Sequence, residues 1–284
     1  MTDDPKTLVS TKWLADHLHD PDLRVLDGSW YLPGAGRQPE AEYDAAHIPG
    51  ARFFDIDDIA DHRSDLPHMA PPPEKFMSRM RALGVGDGHQ VVVYDGAGLM
   101  SAARVWWTFK LMGHSDVAVL DGGFPKWQAE GRAVEDLPPV IKDRHMSARF
   151  QNHLVRDVTQ VSQAAKLGLP QIVDARAAPR FRGEADEPRA GLRKGHMPGA
   201  KNLPFDGLLK KDQTLADPSA LTAAFQSAGI DLNKPVITTC GSGITAAVLA
   251  LALARIGHDQ WSLYDGSWAE WGLFDTLPLA TGDA

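Results

Sequence analysis

The chain has 284 residues, 43% of them hydrophobic and 23% charged, a composition with enough apolar material for one large core or two ordinary ones. Its net charge of −8 argues against nucleic-acid or anionic-membrane binding as a main activity. One cysteine excludes an intramolecular disulfide, MTDDPKTLVS lacks the pattern of a secretory signal, and no apolar run is long enough for a membrane span, so a cytoplasmic location is expected.

In chain order, PPPEKFMSRMRALG (71–84) predicts a helix with proline at its start and Gly84 as its stop. QVVVYD (90–95) and VAVLDG (117–122) are short apolar runs of the kind found in buried strands. Trp106 and Trp107 fall where a packed helix is expected. DLPPVIKDRHMSARF (136–150), rich in proline and charge, has the character of a connector. Beyond it, ADPSALTAAFQSAG (216–229) predicts a helix ending at Gly229. PVITTC (235–240) predicts a strand, the apolar stretch after Cys240 a helix ending at Gly257, and WSLYDG (261–266) a further strand.

The chain also repeats itself. RVLDGSW (24–30) answers QIVDARA (171–177), and AHIPGARFFDID (46–57) answers GHMPGAKNLPFD (195–206). QVVVYDGAGLMSAARVWW (90–107) answers PVITTCGSGITAAVLALA (235–252), and LDGGFPKW (120–127) answers YDGSWAEW (264–271). Four blocks in the same order predict two similar domains, 1–138 and 154–284, joined by 139–153. Alternating strands and helices predict an α/β fold, each domain a mainly parallel sheet with helices on both faces. Ligands of such sheets collect at the carboxyl ends of the strands.

Cys240 stands at such an end, followed by Gly241, Ser242, Gly243, Ile244 and Thr245 and then a helix. The two glycines allow backbone N–H groups to converge on one centre, and the helix adds its positive end. A loop of this kind suits a thiolate or persulfide anion. Its counterpart in the first copy carries Asp95, and a buried apolar position would not exchange cysteine for aspartate. Only the second copy therefore carries a nucleophile. His47 and His196 occur in both HxPGA-type blocks, which marks them as structural.

The tandem repeat, the HIPGA-type motifs, the cysteine confined to the second copy, and CGSGIT followed by YDGSWAEW resemble the two-domain rhodanese superfamily. SWYLP, FFDID, RVWW and EPR agree with it, and the resemblance spans about residues 8 to 275. Cys240–Thr245 is similar to the loop of the 3-mercaptopyruvate sulfurtransferases within it. The resemblance implies that Cys240 takes sulfur from 3-mercaptopyruvate as a persulfide, releases pyruvate, and passes the sulfur to thioredoxin, a small thiol or cyanide, with no cofactor or metal. It assigns substrate binding to Arg180 and Arg189, with Gly241, Gly243 and Thr245 in the loop, and leaves Arg182 and Arg193 as surface residues. It also implies a relay of Ser242, His68 and Asp57. Thr245 is further expected to cap the following helix.

Three other readings are weighed against this one. Thiosulfate sulfurtransferase activity expects basic residues directly after the cysteine, where this chain has Gly241 and Ser242. A Cys-x5-Arg phosphatase needs arginine at position 246, which is alanine. A sulfur-carrier module without turnover would not need the paired arginines.

Overall fold

The computed structural model describes residues 2–283 and divides into two compact units. One comprises the chain up to Asp61, Ala70–Gln151 and Lys210–Leu215; the other comprises His62–Met69, Asn152–Leu209 and the chain from Ala216 onward. The units are thus not simple halves, since each takes in one short segment from the other half of the sequence.

The first unit contains β1 (Leu8–Val9), α1 (Thr11–His17), β2 (Leu23–Asp27), α2 (Pro39–Ala45), β3 (Arg52–Phe53), α3 (Pro73–Ala82), β4 (Gln90–Tyr94), α4 (Ala102–Leu111), β5 (Val117–Leu120) and α5 (Gly123–Ala129). Its sheet runs β1-β5-β4-β2-β3, and every pair is parallel. The second unit contains β6 (Val155–Arg156), α6 (Val158–Leu167), β7 (Gln171–Asp174), α7 (Ala178–Phe181), β8 (Lys201–Asn202), α8 (Pro218–Ser227), β9 (Val236–Thr239), α9 (Ala246–Arg255), β10 (Trp261–Tyr264) and α10 (Ser267–Trp271). Its sheet runs β6-β10-β9-β7-β8, again with every pair parallel. The two orders are the same, as the sequence repeat requires.

Strand and helix assignments follow from burial. In β4 and β5 nearly every residue is buried, because helices cover both faces of the sheet. Val92, Tyr94 and Ala118 pack with Leu14 of α1, Tyr43 of α2 and Trp127 of α5. Alternate residues such as Val93 point the other way, toward Val105 of α4. Trp106 and Trp107 are buried in that helix, and Arg104 lies over the Trp107 ring at 4.3 Å. The 136–150 stretch has almost no regular structure. His145, Arg149 and Gln151 lay it along the first unit through backbone bonds to Asp87, Met112 and Leu111. The glycines expected to stop helices, Gly84, Gly229 and Gly257, have φ of 68°, 81° and 78°, the left-handed conformation that closes a helix end.

Both histidines of the repeated blocks are tied to backbone carbonyls. His47 Nδ1 binds the Tyr43 carbonyl oxygen and its ring stacks on Tyr43, while His196 Nδ1 binds the Phe181 carbonyl oxygen and stacks on Phe181. Among the described residues, no helix is long and apolar enough to cross a membrane.

Candidate active site

Cys240 directly follows β9, the middle strand of the second sheet, and is 2% exposed. Eight residues of α9, from Ala246 to Leu253, are buried, so this apolar helix anchors the loop in the core. The loop then turns back over the sulfur. Gly243 adopts a φ of +80°, which glycine accepts without a Cβ clash, and its N–H donates to Cys240 Sγ at 3.2 Å.

The backbone of Cys240 is held from the far side. The Trp268 N–H donates to the Cys240 carbonyl at 2.9 Å and the Ala269 N–H to the Gly241 carbonyl at 2.8 Å. Ser267 Oγ accepts the Cys240 N–H at 3.2 Å and donates to the Tyr264 carbonyl at 2.8 Å. Ser267 does this at a φ of +50°, a conformation that costs a non-glycine residue about 1 kcal/mol. The corresponding residue of the first unit is Gly123, at a φ of +54°.

Arg180 lies in the last turn of the short helix α7, and its Nη2 lies only 2.9 Å from where a Cβ on Gly241 would stand. The glycine thus admits the guanidinium beside the residue that follows Cys240. Glu187 grips Arg180 on one edge, through Nε at 3.3 Å and Nη2 at 2.5 Å. The same carboxylate accepts Arg176 Nη1 at 2.8 Å, and Arg176 is forked onto Asp174 and stacked on Trp268 at 4.2 Å. Burial works against the charge on Arg176, but Asp174 and Glu187 outweigh it and hold its pKa above the ordinary value.

The other sequence-derived candidates fall as follows. His68, buried and at a φ of +59°, groups with the second unit, where Arg189 Nη2 approaches its Nε2 at 3.2 Å. Arginine has no acceptor, so Arg189 is the donor of this contact. Ser242 is buried in the loop. Asp57 belongs to the first unit, is exposed, and accepts Trp30 Nε1–H at 3.1 Å. Thr245 occupies the N-cap position of α9, but its side chain makes no capping bond, contrary to expectation. Its φ and ψ of −76° and −17° are already helical, whereas a capping hydroxyl works from extended backbone. Arg182 pairs with Glu184 at the surface, and Arg193 donates to the carbonyls of Trp271, Phe274 and Leu277.

Cys240, Gly241, Gly243 and Arg180 therefore meet in one place, and Arg189 meets His68. Sequence reasoning did not single out Ser267, Arg176 or Glu187. YDGSWAEW contained the first and DARA the second, and the glutamate of EPR was the only available pointer to the third.

Two parallel five-stranded units, with a thiol at the carboxyl end of one middle strand, match the rhodanese-like domain over residues 10–130 and 157–273; the chain belongs to that family. It is 43% identical, over 95% of its length and 96% of the relative's, to 3-mercaptopyruvate sulfurtransferase of Escherichia coli strain K12. It is 42% identical to the mitochondrial thiosulfate/3-mercaptopyruvate sulfurtransferase 1 of Arabidopsis thaliana, covering 96% of this chain and 77% of that one. The crystal structure of SseA from Escherichia coli, described as a 3-mercaptopyruvate sulfotransferase, superposes with a TM-score of 0.84 at 41% identity, covering 93% of this chain and 99% of that one.

Proposed function

We propose that the chain works as a 3-mercaptopyruvate sulfurtransferase through a persulfide on Cys240. The observation that carries this reading is a sulfur seated on the Gly243 N–H with the Arg180 guanidinium against the adjoining Gly241. The Cys240 thiolate attacks the donor sulfur, and an S–S bond forms as the C–S bond breaks. The bonding pair leaves on carbon as the pyruvate enolate, which takes up one proton. Ser242, with His68 and Asp57, is the proposed path for that proton and stands on the resemblance. The outer sulfur of Cys240–S–SH then passes to a thiolate, from a thioredoxin-like protein or a small thiol, or to cyanide, and the Cys240 thiolate is regenerated.

Charge supports the choice of donor. The loop carries no basic side chain after Cys240, so cationic recognition falls to Arg180 and Arg189, which suit a monoanionic keto acid. A second reading, thiosulfate as donor, is favoured by the Arabidopsis relative, whose name joins both donors. The single cysteine must stay reduced to act, which fits the cytoplasm or another reducing compartment.

Steady-state turnover of the two donors with cyanide as acceptor tests the reading. A higher kcat/KM for 3-mercaptopyruvate is expected, and Arg189→Ala should raise its KM at least about tenfold. A preference for thiosulfate would overturn the donor assignment, and an unchanged KM in that variant would overturn the carboxylate clamp by Arg189.

A further inference from the structure

Arg180 is not a free surface arginine that happens to reach the sulfur loop. Its Nε and Nη2 edge is taken by Glu187, which leaves Nη1 and the remaining Nη2 hydrogen to face a ligand. Glu187 cannot swing away. Its side chain is 2% exposed, and Oε1 is also held by Arg176, whose side chain is fully buried. Arg176 is fixed in turn by Asp174, by the Gly195 carbonyl at 2.8 Å and by the Trp268 ring. Four alternating charges, Asp174, Arg176, Glu187 and Arg180, thus run from the end of β7 to Gly241.

The first unit shows what this chain of charges adds. There Arg37 makes the same fork with Glu42, through Nε at 2.9 Å and Nη2 at 2.5 Å, and donates to the Gly96 carbonyl beside Asp95. That pair lies at the surface, with side chains 42% and 39% exposed. An arginine–glutamate fork against the glycine after the middle strand is common to both units. Glu42 has a further partner in the Tyr31 hydroxyl, which donates to it at 2.8 Å, but only the unit carrying the thiol buries the glutamate and backs it with a second arginine.

We infer that Glu187 is the positioning residue of the substrate clamp: it holds the Arg180 guanidinium against the Cys240–Gly241 turn, ready for the donor's carboxylate. An arginine already ordered in its binding geometry loses little freedom when the ligand arrives, so the gain falls on binding rather than on the chemical step. The inference rests on the keto-acid reading above.

A double-mutant cycle on the full-length protein tests it, with Arg180→Ala, Glu187→Gln and both together, assayed with 3-mercaptopyruvate and cyanide. Glu187→Gln should raise KM about tenfold with kcat within about twofold, and the double variant should be no worse than Arg180→Ala alone. Alkylation of Cys240 by the neutral reagent iodoacetamide should keep its wild-type rate in Glu187→Gln, which a general loosening of the loop would not allow. Glu187→Asp keeps the charge but is one methylene too short to span both arginines. It should raise KM as well, and it carries the test if Glu187→Gln does not fold. Additive losses in the cycle, or an unchanged KM in the Glu187 variants, would overturn the positioning role while the wild type still used the donor. A wild type that did not turn over 3-mercaptopyruvate would instead overturn the functional reading itself.

Discussion

Asp95 and Cys240 occupy the same point of the fold, directly after the middle strand of each unit and before the helix that follows it. In the first unit the carboxylate fills its own cradle. Oδ1 accepts the N–H groups of Ala97 and Gly98 at 2.9 Å each, and Oδ2 those of Met100 and Ala102 at 2.8 Å each. In the second unit the thiol takes the Gly243 N–H. One loop spends its N–H groups on its own carboxylate as part of its structure, whereas the other, in the proposed mechanism, holds a persulfide. In both units the backbone after this strand turns N–H groups onto the residue at its head, a carboxylate in one and a thiol in the other.

The sharpest way to break that comparison is to remove each head residue. Cys240→Ser should lower sulfur transfer at least about 10,000-fold, whereas Asp95→Asn should leave kcat unchanged and cost about 1–3 kcal/mol of stability. Turnover and thermal unfolding of both variants read this out, and a loss of transfer in Asp95→Asn would contradict the division of labour.

Exchanging Gly123 and Ser267 probes the frame behind each loop. A Cβ at Gly123 would stand 2.5 Å from the carbonyl oxygens of Asp95 and Gly98, so Gly123→Ser should destabilise the protein by about 2–4 kcal/mol in denaturant unfolding. The reverse change, Ser267→Gly, should be far milder for stability.

β2 and β7 each end in a buried aspartate, Asp27 and Asp174, but Ser29 stands where the second unit has Arg176. Burial, helped by the charge of Asp95, pushes the Asp27 carboxyl up from 3.8 to about 6 against the Ser29 and Tyr94 hydrogen bonds. The raised acid binds more protons folded than unfolded between these values, so stability falls as pH rises through that window. Asp27→Asn should remove this slope, matching the wild type below pH ~4 and exceeding it by about 2–3 kcal/mol at pH ~7. Unfolding free energies across that range check it, and a persistent slope would assign the effect elsewhere.

Ser267→Gly relieves an unfavourable φ while deleting the hydroxyl that receives the Cys240 N–H, so stability should change by less than about 1 kcal/mol. Its kcat should nevertheless fall about tenfold, because the nucleophile's backbone loses its rear support. An unchanged kcat would reduce Ser267 to a packing residue.

Much of the fold and part of the site are legible in the amino-acid sequence. The repeated blocks carry the two-unit fold, because a parallel strand packed on both faces must be buried and largely apolar or β-branched in both copies, as in QVVVY and PVITT. Cys240 and its glycines are legible from loop chemistry, and Arg180 and Arg189 from the resemblance. Partnerships that depend on where side chains point are not. Glu187 is one of many glutamates until Arg176 and Arg180 are seen on its two oxygens. Ser267 looks like an ordinary small residue until its φ is known. Thr245 shows the limit from the other side, since a threonine before a helix satisfies the capping pattern without making the bond. The grouping of His62–Met69 with the second unit and of Lys210–Leu215 with the first leaves no mark in local pattern, because it is a property of long-range packing.

Cys240 is proposed to carry the transferred sulfur. Mass spectrometry of the intact protein and its peptides, after 3-mercaptopyruvate is added without an acceptor, tests it most directly. A gain of one sulfur atom on the peptide containing Cys240, removed by cyanide and absent from Cys240→Ser, is the predicted result. Sulfur transfer proceeding with no mass gain at Cys240 would contradict the account.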